Sequence, residues 1–161
     1  MKFFTPEIYR DLNSRDRKKA LAAHEKWEHA LEAYGEHLSE IERKLPSRVR
    51  ELAHSLCLHD AEFEGHLLPT VGGQPLAILM MRQESESVYL VYMLAKKPQM
   101  KTTNRRSPVS RHEVLWLYDE FDVGADGIPQ HEILLSDGRT LSLRFTDLEF
   151  LHKPLPQKIA V

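Results

Sequence analysis

The chain has 161 residues, 42% of them hydrophobic and 29% charged, with a formal net charge of −2. That is enough chain for one domain with a core of its own, and the charge offers no general attraction to nucleic acid or anionic lipid. A single cysteine, Cys57, excludes an internal disulfide framework and suits a reducing cytoplasm, while no apolar run is long enough for a bilayer span or a secretory signal.

Phe3, Phe4, Ile8, Tyr9 and Leu12 place apolar groups ahead of the main helical signal and predict a short turn or helix packed back onto the domain. From Asn13 to Leu45, apolar residues recur at steps of three and four: Ala20, Ala23, Trp27, Leu31, Tyr34, Leu38, Ile41 and Leu45. That is the period of one long amphipathic helix, with Asn13 or Ser14 as its cap and Pro46 as its stop. Glu25, His29, Glu32, Glu36 and Arg43 fall on the opposite, wet side. Val49, Leu52, Ala53 and Leu56 predict a second, short helix behind Ser47.

From Leu58 the period changes to two, and LHDAEFEGHLL reads as a strand with one wet face, placing His59 on the apolar side. Gly72-Gly73 predicts a hairpin, and PLAILMMRQ and SVYLVYMLA read as central strands covered on both faces. Lys96 to Arg111 lacks periodicity and acids, and reads as a long exposed loop. HEVLWLYDEFDV returns to strand, with Trp116 and Tyr118 facing one way and Leu115, Leu117 and Phe121 the other. HEILLSDGRTLSLRF reads as a hairpin around Asp137-Gly138, and DLEFL as its continuation into a last strand after a kink near Thr146-Asp147.

The short hairpin links require antiparallel neighbours. The expected architecture is therefore α+β in a single domain, 1–161: a helical part over 1–57, a mostly antiparallel sheet of about six strands over 58–152, and a loose tail over 153–161. The long helix lies across one face of the sheet. The alternative is that its apolar stripe meets a second copy in a homodimer.

Three clusters carry chemistry. His24 and Glu28 are one helical turn apart, and His59 and Asp60 are adjacent, so the four could hold zinc, iron or manganese, as imidazole and carboxylate ligands do. Without an HExxH or CxxC pattern, the plainer expectation is a solvated helix face, a histidine buried against a backbone partner, and no cofactor. Asp119, Glu120 and Asp122, with Glu113 upstream, could bind a hard cation or perturb one another, but alternation sends Asp119 to the face opposite the other two. Pairing with arginines such as Arg139 and Arg144 is the simpler reading. Lys96, Lys97, Lys101, Arg105, Arg106 and Arg111 form a basic segment for an acidic protein partner; nucleic acid is the less favoured target, with no aromatic residue to stack a base. Cys57 sits between Leu56 and Leu58 as an inert thiol, and no GxSxG elbow, phosphate loop or GxGxxG occurs.

The blocks MKFFTPEIY, WEHALEAYGEHL, LHDAEFEG, WLYDEFDV and HEILLSDGRTLSLRF together resemble an uncharacterised family of small bacterial cytoplasmic proteins. The resemblance implies a bacterial, cytoplasmic chain acting as one unit and carries over no site residue. The strand, turn and aspartate-glycine hairpin of the later portion are also similar, at fold level only, to small immunity proteins that bind toxin partners. The expected function is a non-enzymatic soluble protein that binds another protein, with no membrane partner. The alternative is a metal-dependent hydrolase built on the His/carboxylate set.

Overall fold

The computed structural model describes residues 1–55, 57–102 and 113–154. It has an α+β fold. Among the described residues the helical part is three helices, the short N-terminal turn or helix that was expected being a helix. α1 (Pro6–Leu12) starts behind Thr5, whose side chain accepts the Ile8 N–H, with Pro6 at the first helical position. α2 (Arg17–Ile41) starts behind Asp16, whose Oδ1 accepts the N–H groups of Lys18 at 2.9 Å and Lys19 at 3.4 Å. The caps expected at Asn13 and Ser14 are used elsewhere. Asn13 closes α1, its Nδ2 donating to the Tyr9 carbonyl, and the Ser14 hydroxyl accepts the Asp16 N–H.

A 3₁₀ turn (Glu42–Lys44) follows α2, and α3 (Ser47–Ser55) begins after Pro46. The apolar stripe of α2 divides along its length. Leu38 and Ile41, with Leu45 beyond, enter the core, and Ala23 and Ala30 are buried. Trp27 and Tyr34 are half-buried, whereas Leu31, expected in the stripe, is 48% exposed.

Among the described residues the sheet is antiparallel in every pairing and has eight strands, two of them short. They are β1 (Glu62–Leu67), β2 (Thr70–Val71), β3 (Gln74–Gln83), β4 (Glu86–Leu94), β5 (Gln99–Thr102), β6 (Trp116–Val123), β7 (Pro129–Leu135) and β8 (Arg139–Pro154). Their order is β1-β3-β4-β8-β7-β6, with β2 on β3 and β5 on β8. β5 corrects the expectation of a structureless loop, because Gln99 to Thr102 adds to the edge of β8. The aspartate-glycine hairpin forms as expected between β7 and β8. DLEFL continues as the second half of the 16-residue β8, which pairs with β7 first and then with β4. The expected kink is a register shift: Met93 pairs with Asp147 and Leu94 with Phe145, leaving Thr146 as an extra residue. The expected tail also begins late, since Lys153 and Pro154 still belong to β8, and 155–161 lie outside the described residues.

The sheet then curls until its two ends meet. Phe63 N–H donates to the Val114 carbonyl at 2.6 Å, Trp116 N–H to Ala61 at 2.8 Å and Asp60 N–H to Trp116 at 2.9 Å. These bonds join the start of β1 to the start of β6 and enclose a core that includes Tyr92, Trp116, Phe121 and Phe145. Asp60 takes a left-handed φ of 66° to turn into β1. Burying both ends of a sheet this way removes edge groups that would otherwise stay unpaired.

Candidate functional site

β6 positions the chemistry. Its register slips between Trp116 and Tyr118, which reverses the facing expected from alternation. Trp116 points into the enclosed core with Phe121, while Tyr118 points out towards α2 and lies 4.3 Å from Trp27, ring to ring. A one-residue bulge was invisible to period-two reasoning, since alternation assumes an unbroken ladder.

On the inner side, one hydrogen-bonded chain crosses the core. The Tyr92 hydroxyl lies 2.7 Å from His131 Nδ1, and His131 Nε2 lies 2.9 Å from Asp119 Oδ2. Trp116 Nε1–H donates to Asp119 Oδ1 at 3.0 Å. The arrangement that satisfies every group with a neutral ring has Tyr92 donating to Nδ1 and Nε2–H donating to the carboxylate. Burial, reinforced by the Asp119 charge, pushes the Tyr92 phenol well above its usual range and keeps it a donor. Phe121 stacks on the imidazole at 3.9 Å, and His131 is wholly buried. His131 escaped notice in the sequence, although its alternation with Ile133 and Leu135 marks it as inward-facing.

On the outer side, β6 holds the helical part. Glu120, 4% exposed, accepts the backbone N–H groups of Lys2, Phe3 and Phe4 at 2.7, 2.8 and 2.6 Å. Asp122 Oδ1 lies 3.0 Å from His37 Nε2, and the Tyr34 hydroxyl accepts the Phe121 N–H. Asp119 does face away from Glu120 and Asp122, as alternation implied. The expected arginine partners are engaged elsewhere, Arg139 with Asp137 and Arg144 with Asp126. The acidic run is therefore a fastening between layers.

Between α2 and β6 lies a groove of about 400 Å³. Its aromatic wall is Phe4, Trp27, Tyr34 and Tyr118, with Leu31 at the solvent side. Cys57, His59 and Asp119 also line it, with Ala53, Leu58 and Leu117, and among the described residues no lysine or arginine takes part. His59 is not buried as expected. Its side chain is 47% exposed and stacks on Tyr118 at 5.2 Å, with Nδ1 2.5 Å from the Leu117 carbonyl, the backbone partner that had been anticipated. Cys57 is exposed rather than packed away, and no hydrogen bond among the described residues joins its thiol to His59. Burial is the main force raising the Tyr118 phenol, with Tyr9 and then Asp60 adding to it.

The four candidate metal ligands form two separate pairs. His24 Nδ1 is 3.5 Å from Glu28 on the exposed face of α2, and His59 Nε2 is 3.6 Å from Asp60. Among the described residues no group of three or more histidine, cysteine or acidic side chains is placed to hold a metal ion. In the basic segment, Lys96 has a counter-charge after all, 3.0 Å from Asp126. Lys97 and Lys101 are exposed, and Arg105, Arg106 and Arg111 lie outside the described residues.

No family model matches the chain, and no curated protein does. Among the described residues no helix is long and apolar enough to cross a membrane. A second groove, of about 600 Å³ between α3 and β8, is bounded by the Arg48–Glu149 ion pair at 2.6 Å. There Arg48 neutralises Glu149 and Glu51 adds a second carboxylate, whereas among the described residues the aromatic groove has Asp119 and no cation in its wall.

Proposed function

We propose that this chain is a non-enzymatic binding protein that takes a segment of another protein into the groove between α2 and β6. One observation carries the reading: Leu31, 48% exposed, stands over a preformed concavity walled by half-buried Trp27 and Tyr118. Rigid aromatic side chains around a pocket are what concentrate binding energy at protein interfaces, because they bury much area for little lost rotamer freedom. A volume of about 400 Å³ has room for a partner's anchoring side chain. The polar groups beside it are engaged in holding the fold, Asp119 by His131 and Trp116 and His59 by the Leu117 carbonyl, which favours recognition over proton transfer.

Cys57, the chain's single cysteine, lines the groove and provides the test. A photo-crosslinker on Cys57 should trap a defined partner from the cell of origin, and purified partner should compete the adduct away. A Cys57→Ser, Val71→Cys chain carries the same group past the far end of β3 and should trap much less of that partner. Equal labelling from both positions, or a partner indifferent to Leu31→Ser, would count against this groove as the binding surface.

A further inference from the structure

The groove differs from an ordinary apolar slot in the sign of its surroundings. Among the described residues its lining holds one carboxylate, Asp119, and no lysine or arginine. Asp60 acts on the Tyr118 phenol, and Asp119, Glu120 and Asp122 act on that of Tyr34, although burial is the larger influence on both. The aromatic wall thus has several acids beside it, while the Lys2 ammonium lies over Phe3 rather than in the groove lining. Phe4 and Trp27 stand 4.7 Å apart and Phe4 and Tyr118 5.8 Å apart, ring centre to ring centre. The negative faces of such rings attract cations, and the attraction grows as the cation loses water.

Resting on the protein-binding reading above, we propose that the partner segment presents an arginine side chain to this groove. Its guanidinium is planar and weakly hydrated, so it can lie against aromatic rings at a lower desolvation cost than an ammonium. The Asp119 oxygens each accept one bond from the core, from Trp116 and from His131, and a carboxylate has further lone pairs to offer. Lysine brings the same charge as a compact, strongly hydrated group without the stacking plane, so it binds more weakly.

Leu31 allows the sign of the charge to be tested apart from the shape of the site, since it is exposed and α2 does not depend on it for burial. Random heptapeptides displayed on phage are selected against the full chain, and the enriched peptides are synthesised and titrated by fluorescence anisotropy. Circular dichroism confirms that each variant is folded. The expected result is enrichment of arginine at one position, with arginine-to-lysine exchange in the peptide weakening binding. Leu31→Lys should weaken binding on the order of tenfold and Leu31→Glu should hold or strengthen it. Enriched peptides without arginine that lose affinity equally to both variants would overturn the arginine inference and leave groove binding standing. Peptides indifferent to both variants, or no enrichment at all, would overturn both.

Discussion

The Tyr34 hydroxyl accepts the backbone N–H of Phe121 at 2.7 Å, so a helix side chain satisfies a strand edge. Among the described residues the two ends of the sheet are joined only near Ala61–Phe63 and Val114–Trp116, and beyond that junction no described strand pairs with the outer side of β6. α2 takes that place with Tyr34 and, one residue further along β6, with His37 on Asp122.

Tyr34→Phe should keep the packing against Phe3 and Phe4 but leave the Phe121 N–H short of its acceptor. An unsatisfied, partly buried donor costs about 1–3 kcal/mol, or about 2–4 °C of melting temperature per kcal/mol in a chain of this size. Thermal and urea unfolding measure it. A variant as stable as the parent would show that α2 does not satisfy this edge.

The core chain from Tyr92 through His131 to Asp119 should behave as one unit. Tyr92→Phe leaves His131 Nδ1 unpaired at a cost of about 1–3 kcal/mol. His131→Ala opens a cavity beside Phe121 and orphans two partners, at a cost of about 3–5 kcal/mol. The double variant should lose less than the two single losses added, because either change alone already breaks the shared bond. Strict additivity in urea unfolding would show that Tyr92 and His131 are not coupled.

Asp126 links the β6–β7 turn to Lys96 and Arg144, and those hydrogen bonds, with the Ile128 N–H, hold its carboxyl well below the usual carboxylate range. A depressed folded-state pKa stabilises above the unfolded value of about 4 and loses that contribution as pH falls below it. The difference in stability between the parent and Asp126→Asn should therefore be largest near neutrality and should close between about pH 4 and the lower folded value. Urea midpoints taken from pH 7 down to pH 2 would reveal this. A difference that stays constant with pH would remove the carboxylate's charge from the explanation.

Much of the architecture was legible without coordinates, because hydrophobic period reports which face of an element is covered. The three-and-four spacing around Trp27 and Tyr34, the alternation in LHDAEFEGHLL and the Asp137-Gly138 turn each have a local cause, and each produced the element expected, the second as β1. The helix caps were less legible, since Asn13, Ser14 and Asp16 are all good acceptors and only the chain's path chooses among them. Leu31 was misplaced because periodicity defines a stripe but not how far the opposing surface extends beneath it.

The site belongs to the other category. Whether His59 and Asp60 meet His24 and Glu28 is a question of long-range geometry, and the two pairs remain apart. By itself the sequence determined an α+β chain with an antiparallel sheet and a long amphipathic helix, since those follow from forces acting within a few residues. Only the tertiary structure decided that the sheet curls onto its own edge, that a bulge turns Trp116 inward and Tyr118 outward, and that the acids of β6 fasten other elements. Those outcomes depend on contacts between residues tens of positions apart, whose pairing no local pattern encodes.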